Sequence, residues 1–216
     1  MENFADLYSD YLISSSSYAT STGMANLLSI KHDKITRELS NGDYDSKFLW
    51  KQSKVYVKEL TQSKELITLS FDDSIEEKRY TDESELHCWH FDHTFGKSVR
   101  GVNFLTALIE VGTMRLPCAV EFVKKDLWKK DPKTGKEKRK SSVSKNELFR
   151  KMLRECNGKF RFDYVLADSW YSSNENMNCC KKELNNDFIM ALKSNRKVAL
   201  SLENKQNKEY ISIETL

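Results

Sequence analysis

Apolar and polar positions change their rhythm once along the chain, near residue 64. Before that point the spacing is helical and no strand-like alternation occurs. It predicts short helices over 22–28 and 33–39. A longer one is predicted over 46–60, with Phe48, Leu49, Val55, Tyr56 and Leu60 on its apolar face. Asn41-Gly42-Asp43 is a turn signal between them. Two readings of this helical region, residues 1–63, stay open. Short helices on tight turns suit a helix-turn-helix-like DNA reader, and they suit a plain helical cap on the next domain equally well.

From Leu66 the period shortens. Residues 66–71 form a β-type run that ends in Asp72-Asp73-Ser74. Residues 103–111 and 116–123 are the next strands, with Gly112-Thr113-Met114 as a hairpin turn. A helix follows, opened by the capping box Ser144-Lys145-Asn146-Glu147 and stopped at Asn157-Gly158. Its buried stripe is Leu148, Phe149, Met152, Leu153 and Cys156. Residues 160–167 form a strand ending in Asp168. Ser172-Ser173-Asn174-Glu175 opens a capped helix to about Leu184, and 187–193 is a fifth strand. The order β-β-β-α-β-α-β over residues 64–216 predicts a mixed α/β sheet and resembles the ribonuclease H-like arrangement. In that arrangement the ends of the first and fourth strands lie side by side.

Composition narrows the classes. The chain has 216 residues, 39% hydrophobic and 31% charged, which suits a real core and excludes a disordered chain. Two prolines and seven glycines exclude collagen-like and Pro-linker architectures. The net charge is only +3, so any nucleic-acid role must come from local patches. One such patch is the insert 124–140, with nine basic and three acidic residues. The longest apolar stretch, 102–123, is interrupted by Glu110, Arg115 and Glu121, so no membrane span is expected. No secretory signal opens the chain, and its five cysteines form no C-x-x-C pair. Reduced thiols in a cytoplasmic protein are therefore expected.

Two aspartate positions carry the chemistry. Asp73, or its neighbour Asp72, closes the first strand, and Asp168 closes the fourth. Carboxylate oxygens are hard ligands that suit Mg²⁺ or Mn²⁺, and paired ions serve phosphodiester chemistry. If Asp73 and Asp168 share a site, their mutual repulsion is expected to raise the pKa of one of the two when no metal is bound. His87, His90 and His93 recur every third residue with Cys88 and Asp92 among them. No second cluster supports a zinc site there, and a polar or DNA-facing loop is the reading kept. Cys179-Cys180 reads as part core, part surface. Trp128 either stacks on a base or packs underneath.

Three segments resemble the first half of the catalytic domain of bacterial insertion-sequence transposases of the DDE superfamily. They are Leu69-Ser70-Phe71-Asp72-Asp73-Ser74, His90-Phe91-Asp92-His93 and the stretch Gly96 to Asn103. Val165 to Tyr171 is similar to the second-aspartate motif of those enzymes, and Phe188 to Arg196 to the strand after it. Asp33 to Arg37, with Leu49-Trp50, is similar to their helical N-terminal region. The resemblance implies Asp73 and Asp168 as metal ligands, with Asp73 favoured over Asp72 because Ser74 follows it. It implies DNA, both transposon ends and target, as partner. Lys136, Lys138, Arg139 and Lys140 of the insert, with Lys193 and Arg196, are the candidate DNA contacts. Assembly stays open between a monomer and a homodimer. The third ligand of the family is a helix-borne glutamate; Glu203, Glu209 and Glu214 do not match its motif. The resemblance implies a transposase fragment whose family cleaves DNA at the element's end and then transfers the strand to target DNA; a catalytically dead DNA-binding fragment and a different ribonuclease H-like nuclease stay open as rivals. The chain is expected to be a C-terminally shortened copy that does not cut DNA alone.

Overall fold

In the computed structural model, residues 4–16, 18–132 and 134–216 are described. Contacts divide the chain into two compact units, residues 1–44 and 45–216. The first holds helices α1 (Phe4–Ser14), α2 (Ser21–Leu28) and α3 (His32–Asn41). Thr20 caps α2 by accepting from the Gly23 amide, and Met24, Ala25 and Ile35 form a small core of this unit.

The second unit begins with α4 (Ser46–Leu60), whose Asp45 accepts from the Lys47 and Phe48 amides. The sheet follows: β1 (Ile67–Glu77), β2 (His87–Asp92), β3 (Lys97–Val111) and β4 (Met114–Phe122). Then come the hairpin strands β5 (Leu127–Lys130) and β6 (Glu137–Lys140), helix α5 (Lys145–Asn157) and strand β7 (Tyr164–Ala167). Helix α6 (Asn174–Asn178) runs into a π turn over Cys179–Glu183, and β8 (Asp187–Met190) closes the sheet. Beyond it, β9 (Lys197–Val198) and β10 (Ile211–Ser212) pair around α7 (Leu202–Gln206). No helix of the described residues is long and apolar enough to cross a membrane.

The sheet order is β2-β3-β1-β7-β8, with β4 also on β3. The β1, β2, β3 and β4 pairings are antiparallel, whereas β1, β7 and β8 run parallel. This is a ribonuclease H-like mixed sheet preceded by α-helices, as the order of elements predicts. Strand β3 alternates strictly, with Val99, Leu105, Ala107, Ile109 and Val111 buried. Gly112 turns from β3 into β4 at φ +57°, a left-handed conformation that glycine adopts freely. Helix α5 lays Leu148, Phe149, Met152, Leu153 and Cys156 into the core, and the full Ser144/Glu147 capping box fixes its start. All five cysteines are free and buried.

Four local expectations are revised. The first strand does not stop at Asp72: its second half has a partner in the first half of β3, so it runs on to Glu77. Residues 87–92 are a strand, not a loop, because they pair along the full first half of β3. The insert folds into the β5–β6 hairpin. The last parallel strand ends at Met190, ahead of Lys193.

Candidate active site

Alternation along β1 decides which aspartate meets the core. Ile67, Leu69 and Phe71 point inward, and Asp73 continues that row, whereas Asp72 faces the other way. Asp73 pairs with Leu105 of β3, so Asn103, one step along the same row, reaches it: Asn103 Nδ2 lies 3.5 Å from Asp73 Oδ2. Phe71 is level with Ala167 in the parallel β1–β7 pair. Asp168, the first residue after β7, therefore follows at the level of Asp72. Its Oδ1 accepts from the Trp170 amide at 2.9 Å, which fixes the turn that follows.

Asp73 is held from three sides. The Tyr171 hydroxyl donates to Oδ1 at 2.9 Å, and Lys145, the first residue of α5, forms an ion pair with Oδ2. The lysine and aspartate side chains are 24% and 20% exposed, so the pair is largely out of water. Tyr171 is fully buried, stacked on Phe149 at 5.3 Å. Burial, and then the Asp73 charge and hydrogen bond, push its hydroxyl far above the usual tyrosine range. The Asp72 carboxyl is also raised. Burial is the main cause, opposed by the Asp73 amide that donates to it at 2.9 Å, while the charges of Asp73 and Asp168 add to the rise. Asn103 Oδ1 is buried with no hydrogen-bond partner.

These groups open into one cleft of about 680 Å³. Asp72, Asp73, Asp168 and Lys193 line it, together with Asp92, His93, Lys145 and Trp170, which the sequence reading did not assign to a site. The ammonium of Lys193 sits 4.6 Å from the Trp170 ring centre, and that of Lys145 sits 5.9 Å from it. Asp92 ends β2 and accepts from the Thr94 and Phe95 amides. Among the described residues no three His, Cys, Asp or Glu side chains converge to hold a metal ion.

The other candidates lie elsewhere. Lys138 and Arg139 line a second cleft of about 430 Å³, next to Trp128. Arg139 stacks on Trp128 at 4.4 Å and bonds Glu83 at 3.1 Å. Lys136 and Lys140 are exposed on the hairpin, and Arg196 is exposed away from both clefts. Glu203, Glu209 and Glu214 are exposed and line neither cleft. His87 is buried, its ring nitrogens 2.9 and 2.7 Å from the Asp82 and Lys78 carbonyl oxygens. His90 is buried against Cys88, and His93 faces the cleft, so the three histidines do not converge. A signal for the missed residues existed in one place: Asn103 interrupts an otherwise apolar inward row.

Comparison with known proteins bears on the family. A family model described as DDE superfamily endonuclease matches residues 2–209. No curated protein matches the chain. Among solved structures, a Drosophila P element transposase strand transfer complex is similar at 12% identity and a TM-score of 0.34. The match covers 88% of this chain and 41% of that one. A Mos1 strand transfer complex is similar at 10% identity and a TM-score of 0.28, covering 88% of this chain and 58% of that one. The chain thus spans about half the length of these solved chains. Similarity at that level carries no argument, and the fold rests on the strand order above.

Proposed function

The chain belongs to the DDE superfamily of endonucleases, and on that premise we propose that it is the core of an insertion-sequence transposase that cleaves and joins DNA strands in the carboxylate cleft. One observation carries the reading. Asp72, Asp73 and Asp168 line one cleft beside the parallel pair β1 and β7, and Lys145 and Lys193 share it.

Asp73 and Asp168 are the proposed ligands of Mg²⁺ or Mn²⁺, since carboxylates are the oxygen donors such ions take. The buried, unpartnered Asn103 Oδ1 supports this fit, because its amide lies against Asp73 and adds an oxygen of the same hard character. When bound, the metal would activate the attacking oxygen and stabilise the leaving one. The chain's own groups do the rest. Tyr171 holds the Asp73 carboxylate in one orientation, and the Trp170 amide does the same for Asp168. Lys145 and Lys193 supply the positive charge that a scissile phosphate needs in a site rich in carboxylates. The proposed sequence is hydrolysis at the element's end, then attack of the freed 3′-hydroxyl on target DNA. In this reading residues 1–63 supply helices for DNA contact, and residues 64–216 supply the catalytic sheet and the basic insert. Action in the cytoplasm and pairing of two copies belong to the same proposal.

Nicking of duplexes bearing the element's ends, with Mg²⁺ or Mn²⁺, tests it. Asp73→Asn and Asp168→Asn are each expected to lower the rate at least about a hundredfold. Cleavage that survives either change overturns the assignment. A second reading, DNA binding without cleavage, is favoured by the absence of a third convergent ligand among the described residues. Tight DNA binding with no nicking at any Mn²⁺ concentration decides for it.

A further inference from the structure

We propose that the face formed by β2 and the β5–β6 hairpin is a track for unpaired, single-stranded DNA leading out of the carboxylate cleft. The proposal rests on the DNA-cleaving reading above and deepens it by naming the form of substrate.

The two clefts adjoin at Phe91, which lines both. Along them runs a row of rings. Trp170 lies 5.5 Å from His93, and His93 lies 4.9 Å from Phe91. Trp89 and Trp128 continue the row in the second cleft. The fold does not need these rings inside: Trp170 is 43% exposed, Phe91 53%, Trp89 55% and Trp128 56%, whereas Phe149 and Tyr171 in the core are fully buried. Strand β2 is inverted relative to an ordinary strand, with Cys88 and His90 turned inward and the large rings turned to solvent.

Charge tells what such a row would accept. A cation stands over the rings at each end, Lys193 at 4.6 Å from Trp170 and Arg139 at 4.4 Å from Trp128. Lys125 and Lys138 add positive charge in the second cleft, against Glu83 and Glu137. Flat apolar faces alternating with cations suit a ligand that alternates flat bases with anionic phosphates. Spacing then selects the single strand. Trp89 and Phe91 are two residues apart on one strand face, about 6.6 Å. That is about twice the ~3.4 Å rise per nucleotide of a duplex strand. Bases resting on both rings are drawn out of a helical stack, and a duplex does not offer its base faces at all. His93 already touches both of its neighbours, so bases lie on the solvent sides of the rings and do not insert between them.

The test compares two DNAs on the full chain by fluorescence anisotropy, in EDTA so that no cleavage enters. One is a blunt duplex. The other is the same duplex with a single-stranded extension of about four nucleotides, the lower end of known strand-binding site sizes. The extension is expected to tighten binding at least about tenfold. A 2-aminopurine within it should be quenched on binding. Phe91→Ala combined with Trp128→Ala is expected to remove most of that gain, at about five- to hundredfold per ring, and to weaken blunt-duplex binding far less. Phe91→Tyr should keep the gain. Because both side chains are exposed, thermal melting of the variants should match wild type. Equal affinity for the two DNAs, or an alanine pair that weakens both alike, overturns the track. Failure of the cleavage reading is seen separately, in nicking assays of Asp168→Asn, and leaves the extension preference standing.

Discussion

Lys145 and a divalent cation compete for the same Asp73 carboxylate, and the competition has a measurable size. Lys145 is the first residue of α5, and its ammonium pairs with Asp73 Oδ2. With only 24% and 20% of the two side chains exposed, the pair behaves as a charge-assisted hydrogen bond and not as a surface ion pair. Such bonds contribute about 1.5–3 kcal/mol, which the remaining exposure reduces to about 1–2 kcal/mol. Metal binding at Asp73 has to release that contact, so the wild-type affinity is lowered by the same amount. Lys145→Met keeps the apolar stem and removes the competitor. Its Mn²⁺ affinity, read by titration calorimetry, is expected to rise about five- to thirtyfold. Without metal the variant should be less stable, because Asp73 keeps only the Tyr171 hydroxyl and the longer contact to Asn103. In a chain of this size each kcal/mol lowers the melting temperature by about 2–4 °C. Saturating Mn²⁺ should then raise the melting temperature more in the variant than in wild type. Unchanged or weaker Mn²⁺ affinity in a normally folded Lys145→Met protein refutes the competition, and with it the placing of the ion at Asp73.

Other consequences follow from single contacts. Tyr171→Phe removes a hydrogen bond to a charged group while keeping the stack on Phe149, and urea unfolding should show a loss of about 1.5–3 kcal/mol. Gly101→Ala should destabilise by at least about 2 kcal/mol, because a Cβ there meets the Glu76 carbonyl oxygen at 2.2 Å and pushes β1 off β3; a wild-type melting curve would contradict this. His90 is buried, and burial together with the Lys125 and Lys145 charges lowers its pKa to about 4. A histidine held neutral in this way stabilises the fold above its unfolded pKa of about 6.5, and that contribution, up to about 3 kcal/mol, is lost as pH falls from there toward 4. His90→Gln lacks this loss, so its stability deficit against wild type should shrink between pH 7 and pH 4.5; a constant difference would show that His90 does not titrate in that window. Replacing Lys136, Lys138, Arg139 and Lys140 by Gln should weaken DNA binding evenly across sequences and flatten the salt slope by up to about 0.9 per lost contact, and an unaltered slope would exclude the hairpin from the phosphate contacts.

Where the sequence was legible, local chemistry and burial agreed. Helix α5 is bounded by a capping box and an apolar stripe that the fold uses unchanged. The alternation of β3 over 103–111 is the alternation of its burial. Asp168 closes β7 because the polar turn after Ala167 leaves the sheet there. The failures have a shared cause as well. Segment 87–92 has polar and aromatic residues in the wrong places for an amphipathic strand, since its histidines and cysteine are buried and its rings exposed. A hydrophobicity pattern assigns such a segment to a loop. Lys145 and Tyr171 were invisible for another reason: they reach Asp73 across 72 and 98 residues of chain, and only the folded sheet brings them together.

Both kinds of failure fall around the cleft that holds Asp73, and this is an argument about function. A sequence that specifies a fold keeps local rules consistent with the global one, and departures cost stability unless another requirement holds them in place. Asp73 stands in the inward row after Ile67, Leu69 and Phe71, where an apolar side chain would be cheaper. Asn103 stands in the inward row of β3 with one oxygen unpartnered. Strand β2 turns its rings outward beside them. A structural requirement alone would be met more stably by apolar residues at 73 and 103 and by polar ones at 89 and 91. Their reversal places the Asp73 carboxylate in one cleft, with the Asn103 amide buried behind it, and flat rings along the cleft's edge, a distribution suited to metal-assisted chemistry on a polymer of bases and phosphates.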